Sequence, residues 1–390
     1  MQLFDELKLT NLLSFGPDTQ PLHLGPLNVL IGPNGSGKSN LIEAISLLRS
    51  APAELVVPVR EGGGVRDWLW KGAVKPVTAC LEAVVRYPAG EQPLRYRLAF
   101  TEAGARLEVT DERIENAHAS PGHPKPYFYF GYEYGRPMLN VGGEAAPRGL
   151  RKEEVDPQRS ILSQRKDPDQ YPEITYLGEA FARIRIFREW SFGRYTPPRL
   201  PQPADLPNDF LAEDARNLGL VLNRLRREPE VKRRLVEELR RLYDGIDDFE
   251  VVVEGGTVQV FLQEGRWSVP ATRLSDGTLR YLSLLAVLCH PTPPPLICIE
   301  EPELGLHPDI VPHLATLLRD ASTRTQLLVT THSDILVDAL TESPDAVIVC
   351  EKHGGATRLT RPDAETLRPW LEKYRLGELW TRGELGGTRW

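Results

Sequence analysis

The chain has 390 residues, of which 41% are hydrophobic and 26% are charged, and its formal net charge is −7. This length and composition permit a large core in about two to three domains or lobes. No apolar run approaches the roughly 18 residues of a membrane helix, and the N-terminus lacks the basic and apolar regions of a secretion signal, so we expect a cytoplasmic protein without membrane association. The negative charge gives no overall attraction to nucleic acid, so DNA binding would require a local basic surface.

The N-terminal residues predict a phosphate-binding turn. Residues 3–10 alternate between polar and apolar side chains, as in a strand, and residues 32–39 fit the Walker A pattern G-x-x-x-x-G-K-[ST] between an apolar run and a helically spaced one. The glycines let backbone N–H groups surround phosphate oxygens, and the helix adds the positive end of its dipole. We expect Lys38 to reach the β- and γ-phosphates and Ser39 to ligate Mg²⁺. The candidate nucleotide-binding residues are Asn34, Gly35, Ser36, Gly37, Lys38, Ser39 and Asn40.

The next segments favour β structure. We expect residues 57–71, which surround three consecutive glycines, to be irregular, either a surface turn or a nucleotide-sensing loop. Short β-like runs at 79–87, 94–100 and 107–110 are separated by glycine turns and predict an antiparallel sheet. Residues 127–132 predict another strand, and the Pro-, Gly- and charge-rich stretches 121–126 and 144–169 predict mobile or irregular structure.

Two helices are predicted in the lobe that follows. Apolar residues at 218, 221, 222 and 225 form one stripe, and Pro229 begins a second helix that ends before Gly245. The polar face of the second helix is either a solvated surface with ion pairs or a contact surface for a phosphate backbone. Its basic residues are Lys232, Arg233, Arg234, Arg240 and Arg241. Alternation at 249–262 around a Gly-Gly pair predicts a hairpin.

The last third returns to α/β character. We predict helices at 276–288 and 308–318 and strands at 296–299, 326–331 and 347–349, which form a largely parallel sheet with the distant strand 27–31. The predicted nucleotide-binding lobe therefore comprises residues 1–115 and 265–365, with an antiparallel β subdomain. Residues 116–264 form an inserted, partly helical second lobe, and residues 366–390 form an aromatic tail. The four cysteines lie singly in apolar stretches and are expected to be buried thiols.

A second phosphate motif precedes the 276–288 helix. The sequence L-S-D-G-T-L-R at 274–280 resembles the L-S-G-G-Q signature of ABC-type ATPases, and at a helix start Ser275 and the Gly277 N–H can donate to phosphate oxygens. The resemblance implies that they contact ATP held by a second subunit, in a head-to-tail dimer. Asp276 and Thr278 depart from the signature. Because a carboxylate beside a phosphate is unfavourable, Asp276 must point away or cap the helix.

Two further motifs carry acids and a histidine. The sequence L-I-C-I-E-E-P-E at 296–303 resembles a Walker B strand, in which Glu300 would organise Mg²⁺ and Glu301 would activate the attacking water. Residues 303–308 resemble the D-loop, which crosses the dimer interface in this group. V-T-T-H-S at 329–333 resembles the switch loop, which implies that His332 contacts the γ-phosphate. Gln164 is a candidate Q-loop ligand of the metal, although nothing separates it from Gln158 or Gln170.

Together these motifs resemble the RecF-type branch of SMC-like ABC ATPases, and especially stand-alone bacterial AAA-type ATPases that are similar to the ATPase part of overcoming-lysogenisation-defect proteins. The resemblance implies an α/β P-loop NTPase of the ABC-ATPase head type, with a split nucleotide-binding lobe, an antiparallel β subdomain and an inserted helical lobe. It also implies Mg²⁺-dependent ATP hydrolysis by an ATP-dependent homodimer, with Glu301, Lys38 and His332 as catalytic residues. Members of this branch act on DNA in repair, recombination or phage defence. About sixty residues follow His332, fewer than the roughly 100 of a typical domain, so we expect no nuclease domain of the kind that overcoming-lysogenisation-defect ATPases carry.

Two alternatives stay open. The chain could be an ATPase or regulatory subunit that gates a separate effector protein, or the nucleotide-binding subunit of an ABC transporter. Thr278 and the long insertion before the signature argue against the transporter. The tail could dock an effector or pack on its own core. The tail residues in question are Leu371, Tyr374, Leu376, Leu379 and Trp380.

Overall fold

The computed structural model describes residues 2–73, 77–140, 147–188 and 190–387. The strands, numbered in chain order, are β1 (Phe4–Thr10), β2 (Leu22–His23), β3 (Leu27–Ile31), β4 (Thr78–Val85), β5 (Leu94–Ala103), β6 (Arg106–Asn116), β7 (Phe128–Glu133), β8 (Arg136–Leu139), β9 (Arg148–Gly149), β10 (Arg185–Phe187), β11 (Gln202–Pro203), β12 (Asp248–Glu254), β13 (Thr257–Glu264), β14 (Trp267–Pro270), β15 (Leu296–Glu300), β16 (Gln326–Thr330), β17 (Val347–His353) and β18 (Ala356–Thr360). The α-helices are α1 (Lys38–Ser50), α2 (Val56–Glu61), α3 (Val65–Trp68), α4 (Ile161–Gln164), α5 (Pro172–Ala182), α6 (Leu218–Leu225), α7 (Pro229–Leu242), α8 (Asp276–Leu288), α9 (Val311–Ser322), α10 (Asp334–Asp338), α11 (Ala364–Leu371) and α12 (Leu376–Thr381). Among the described residues, none of these helices is long and apolar enough to cross a membrane.

The chain divides into two compact units. The first unit contains residues 2–184, 347–363 and 385–387, and the second contains Arg185–Ala346 and Ala364–Glu384. These boundaries differ from the predicted division at 115/116, 264/265 and 365/366, which remains a prediction about functional parts of the chain.

The first unit combines an antiparallel sheet with the strand that leads into the phosphate loop. Its large sheet has the order β2-β1-β4-β5-β6-β7-β8-β9, as the turn-separated β runs predict. The fully buried strand β3 pairs in parallel with β17, in the register Val347↔Val29, and β17 pairs antiparallel with β18. A C-terminal strand therefore lies beside the strand that precedes Walker A, as the predicted split fold requires.

Helices α2, α3, α4 and α5 of the first unit were not predicted. The expected irregular segment 57–71 contains α2 and α3, because the three glycines separate two short helices instead of occupying one long loop. Helix α5 lies beyond a charged, irregular stretch, yet it buries Ile174, Leu177 and Phe181 on one face. The Phe181 ring lies 5.3 Å from that of the buried Tyr96, so tertiary packing fixes this helix.

The second unit places three parallel strands side by side. Strand β15 pairs with β10 on one side, in the register Arg185↔Ile297, and with β16 on the other, in the register Leu296↔Gln326. Strand β10 was not predicted, because three residues carry too little pattern. The carboxyl ends of parallel strands meet at one edge of a sheet, where ligands bind in open α/β folds. Arg188, Glu301 and Thr331 follow these three strands directly.

Helices α6 to α9 and the hairpin of the small sheet in the second unit correspond to predicted elements, whereas α10, α11, α12, β11 and β14 were not predicted. Helix α8 has the predicted bounds and is buried along most of its length, and α6 and α7 have the predicted apolar faces. The predicted hairpin is β12 and β13, and β13 also pairs with β11 and β14. Helix α9 begins at Val311, after a 3-10 turn at Pro308–Ile310.

The C-terminal tail packs on its own unit. Leu376, Leu379 and Trp380 of α12 are buried, and a Cβ on Gly377 would lie 2.4 Å from the Asp334 carbonyl oxygen of α10. Helix α12 therefore sits tightly against the helix that follows the predicted switch loop. The four cysteines are buried thiols, as predicted.

Candidate functional site

The phosphate loop between β3 and α1 depends on glycine at defined positions. Gly35 and Gly37 have φ values of 78° and 107°, which favour residues without a Cβ. A Cβ on Gly37 would also lie 2.1 Å from Thr357 Oγ1. The loop can therefore adopt this path only with a glycine at position 37.

Lys38 begins α1 and folds back over the loop. Its side chain is 6% exposed, and Nζ donates hydrogen bonds to the carbonyl oxygens of Gly32 (2.6 Å) and Pro33 (3.1 Å). Asn34, Gly35 and Ser39 are exposed, Asn40 is half-buried, and Ser36 is buried. The first turn of α1 contains no acid, so no carboxylate of that turn offsets the positive end of its dipole. This concave, glycine-lined loop at a helix start suits an anionic ligand.

A loop and a strand from opposite ends of the sequence support the phosphate loop. The Thr357 hydroxyl of β18 lies 2.7 Å from Ser14 Oγ and 2.8 Å from the Ser36 carbonyl oxygen. The Thr357 N–H donates to the Ser14 carbonyl oxygen at 2.7 Å. Sequence reasoning missed Thr357, because 321 residues separate it from Ser36 and no motif links them.

A cavity of about 450 Å³ opens beside the start of α1. Its lining combines an aromatic ring, Trp70, with the cations Lys71 and Lys352 and the helix residues Asn40 and Glu43. An aromatic face and hydrogen-bonding groups next to a phosphate loop can accommodate the remainder of a nucleotide.

In the second unit, the predicted acids lie at the carboxyl end of β15. Glu300 Oε1 is 3.2 Å from the Arg188 guanidinium, which partly neutralises it. Glu301 has a φ of 46°, uncommon for a residue with a side chain, and its N–H donates to the Thr330 carbonyl oxygen at 3.0 Å. The structure brings Glu301 and His332 together, since Glu301 Oε1 lies 3.6 Å from His332 Nε2. Sequence reasoning did not find Arg188, which follows the unpredicted strand β10.

The signature residues cap α8. Ser275 Oγ accepts a hydrogen bond from the Thr278 N–H at 3.0 Å, so Ser275 is the N-cap. The Asp276 carboxylate pairs with Arg199, whose side chain is only 8% exposed and also donates to the Phe192 carbonyl oxygen. Arg199 thus neutralises the carboxylate of Asp276, the residue that differs from the ABC signature. A Cβ on Gly277 would lie 2.6 Å from the Gly305 carbonyl oxygen, so glycine allows α8 to approach the D-loop.

Arg280 connects the signature helix to Glu301. Its guanidinium lies over the rings of Trp190 and Phe192, at 6.0 and 5.6 Å from their centroids. It also donates to the Glu301 carbonyl oxygen at 3.4 Å and to the Trp190 carbonyl oxygen at 3.2 Å. Burial lowers the pKa of Arg280, and the nearby Glu303 and Glu301 oppose that shift. The guanidinium therefore fixes the strained Glu301 backbone.

Gln164 makes local contacts in this structure. Its Oε1 accepts from the Asp156 N–H at 2.8 Å, and its Nε2 donates to the carbonyl oxygens of Arg159 (3.0 Å) and Ser160 (3.3 Å). These bonds hold the loop that precedes α4. The role of Gln164 as a metal ligand stays a prediction.

The predicted basic face of α7 takes part in intramolecular contacts. Arg233 pairs with Glu230, Arg234 with Asp320, and Arg241 with Glu238. Arg240 donates to the carbonyl oxygens of residues 246 and 247, and Lys232 pairs with Asp248. Each of the five basic side chains therefore has a partner within the second unit, which favours the ion-paired interpretation of this face.

A phosphate loop after a buried strand, acids and a histidine at the ends of parallel strands, and a capped signature helix define the class: a mixed α/β P-loop NTPase with the SMC-head, ABC-ATPase fold. Residues 27–338 match a family model described as "AAA domain, putative AbiEii toxin, Type IV TA system". The chain belongs to this family of AAA ATPases. Comparison with curated proteins found no match.

Solved structures of SMC heads share the fold. A structure of the SMC head bound to the C-winged helix domain of ScpA matches with a TM-score of 0.61 at 15% identity, over 94% of this chain and 99% of that chain. An SMC head domain with an extended coiled coil, bound to the C-terminal domain of ScpA derived from Pyrococcus furiosus, matches with a TM-score of 0.54 at 15% identity, over 96% and 99% of the two chains. These likenesses confirm the predicted fold class.

Proposed function

We propose that this protein hydrolyses ATP to ADP and phosphate with Mg²⁺, as an ATP-dependent homodimer. The observation that carries the proposal is the 3.6 Å approach of the Glu301 carboxylate to the His332 imidazole at the ends of β15 and β16. A carboxylate there can accept a hydrogen bond from an attacking water, and an imidazole beside it can donate to a phosphate oxygen. The glycine-lined loop and Lys38 supply the features that bind the triphosphate.

The chain offers ligands of the type that Mg²⁺ prefers. The exposed Ser39 hydroxyl and the Glu300 carboxylate are hard oxygen donors, so the donor set fits this ion. When bound, Mg²⁺ neutralises charge on the phosphates. Arg188, which pairs with Glu300, would keep this carboxylate oriented in the absence of the ion. Gln164 would be a third ligand only if its loop contacts broke.

Replacing Glu301 with Gln tests the assignment of the base. The amide retains the size of the side chain but cannot activate water, so we expect the kcat for ATP to fall by at least about 100-fold while ATP binding persists. Lys38→Ala should instead abolish ATP binding, because it removes the charge that contacts the phosphates. The matched control is Glu342→Gln, a substitution at an acid whose side chain is 90% exposed. Unchanged turnover in Glu301→Gln would show that Glu301 is not the base.

A partner is part of the proposal. The signature residues Ser275 and Gly277 would complete the ATP site of a second copy. The matching SMC heads were solved bound to a domain of ScpA, which supports a protein partner for this chain as well. In that case the ATPase would gate a separate effector.

Action on DNA, in repair, recombination or phage defence, rests on the family resemblance alone, because the arginines of α7 have intramolecular partners. ATP-loaded Glu301→Gln protein should bind duplex DNA most strongly at low salt, where phosphate contacts are least screened. Electrophoretic mobility shift at graded salt measures this binding. If none is found at the lowest salt, the DNA role is wrong and the effector alternative is favoured.

A further inference from the structure

Glu303, two residues after Glu301, contacts both sides of the turn that carries His332. Its Oε1 accepts hydrogen bonds from Thr331 Oγ1 at 2.5 Å and from the His332 backbone N–H at 3.2 Å. Thr331 Oγ1 in turn accepts from the Ser333 N–H at 3.0 Å. One carboxylate oxygen thus joins the turn after β15 to the turn after β16.

The surroundings of the Glu303 carboxyl group disfavour its charged form. Its Oε2 has no solvent-accessible surface and no hydrogen-bond partner among the described residues. Burial raises the pKa of Glu303, the bonds from Thr331 and His332 oppose that shift, and Glu301 adds to it. A buried polar atom without a partner costs stability, and the two hydrogen bonds that Glu303 Oε1 accepts offset part of that cost.

These contacts act on the pair at the centre of the proposed reaction. His332 Nε2 and Glu301 Oε1 are 3.6 Å apart. Glu301 lies in the turn after β15, and His332 lies in the turn after β16. Glu301 is fixed by Arg280 and by the Thr330 carbonyl oxygen. Glu303 accepts a hydrogen bond from the His332 backbone and so links it to the turn of Glu301.

We propose that Glu303 is a positioning residue that, through Thr331, holds the His332 imidazole in register with the Glu301 carboxylate. The inference rests on the proposed ATPase function and adds to it a residue outside the Walker and switch assignments. Glu303 does not touch the reacting atoms. It acts through the geometry of His332.

Thr331 provides a matched pair of variants. Thr331→Val removes the hydroxyl at nearly constant volume, whereas Thr331→Ser retains it. We expect Thr331→Val and Glu303→Ala to lower the kcat for ATP by about 10- to 100-fold, since small misplacements of catalytic groups have effects of this size. The KM for ATP should stay within about threefold of the wild-type value, and Thr331→Ser, which keeps the hydroxyl, should retain turnover close to that of the wild type. Glu342→Ala is the exposed-acid control.

Coupling to His332 separates positioning from a general loss of stability. In a His332→Ala background, neither Glu303→Ala nor Thr331→Val should lower kcat further, because the group that they position is absent. If Glu303→Ala or Thr331→Val lowered kcat in the His332→Ala background by the same factor as in the wild type, the proposal would be overturned. Equal turnover of Thr331→Val and Thr331→Ser would overturn it as well.

A measurement on nucleotide-free protein keeps this test apart from that of the ATPase function. With ring-labelled histidine, the His332 resonance should shift in Glu303→Ala and Thr331→Val and stay unchanged in Thr331→Ser and Glu342→Ala. If the wild type hydrolyses no ATP, the proposed function fails while this comparison still decides on Glu303. An unshifted His332 resonance in Glu303→Ala would contradict the positioning role.

Discussion

Thr357 contributes a buried hydroxyl to the phosphate loop, although it belongs to none of the sequence motifs. The hydroxyl lies within hydrogen-bonding distance of Ser14 Oγ and the Ser36 carbonyl oxygen, and the residue is 3% exposed. Thr357→Val keeps the shape but removes the hydroxyl that is the hydrogen-bonding partner of these two oxygens, which costs about 1–3 kcal/mol. We expect ATP affinity to fall by roughly 10-fold, measured by titration calorimetry. Thr360→Val, at an exposed position of the same strand, is the control, and equal affinities of the two variants would contradict this role for Thr357.

Single residues also mark the limit of sequence reasoning about the site. The candidates Lys38, Glu301 and His332 could be proposed from the sequence because each lies in a contiguous motif next to a buried strand. Arg188 and Arg199 were not found, because their partners Glu300 and Asp276 lie far along the chain, and no periodicity records such a contact. The expectation that Asp276 either points away or caps the helix omitted a third outcome, neutralisation by a buried arginine.

At the scale of elements, length and periodicity determine what could be predicted. Helix α8 and strand β15 are long or uniformly apolar, and their predicted bounds agree with the structure within one residue. Missed elements such as α2, α3, α4, α5 and β10 are short or lie beside glycine-rich and charged stretches. Strand β10 exists because its three residues pair with residues 297–299 of β15, which is tertiary information.

One buried carboxyl group ties β6 to α4 and gives the first unit a pH-dependent stability. Glu112 is 1% exposed and accepts hydrogen bonds from the hydroxyls of Tyr96 (2.7 Å) and Ser160 (2.5 Å) and from the Ile161 N–H (2.8 Å). Burial outweighs these bonds and raises its pKa from 4.5 to about 7. Between these values the folded chain retains a proton that the unfolded chain has lost, so this group lowers stability as pH rises.

Glu112→Gln should remove this pH dependence. The amide is uncharged at every pH, and the two hydroxyls can accept from its N–H groups. Relative to the wild type, the free energy of unfolding of the variant should therefore increase between pH 4.5 and 7.5, by on the order of 3 kcal/mol. Urea denaturation across this range measures the difference. Parallel curves for the two proteins would show that Glu112 ionises normally in the folded state.

At the scale of the whole molecule, the two compact units carry different parts of the proposed machinery. Walker A lies in the first unit, and the acids, the switch histidine and the signature lie in the second. In the proposed head-to-tail dimer, the Walker A loop, Glu301 and His332 serve one ATP, whereas Ser275 serves the ATP of the partner. The proposed dimer therefore predicts which pairs of inactive variants regain ATP hydrolysis when they are mixed.

Mixing inactive chains tests this arrangement directly. Lys38→Ala and Ser275→Arg should each hydrolyse little ATP alone, since the first cannot bind it and the second places a bulky cation at the capping position of α8. In a mixed dimer, one site combines the intact loop of the Ser275→Arg chain with the intact signature of the Lys38→Ala chain. Hydrolysis should then recover toward roughly a quarter of the wild-type rate, because about half of randomly paired dimers are mixed and each has one complete site.

A mixture of Lys38→Ala and Glu301→Gln chains is the control. It should recover no hydrolysis, because both residues serve the same ATP and neither site of the mixed dimer is complete. Recovery in both mixtures, or in neither, would contradict a site completed by the signature of a second chain.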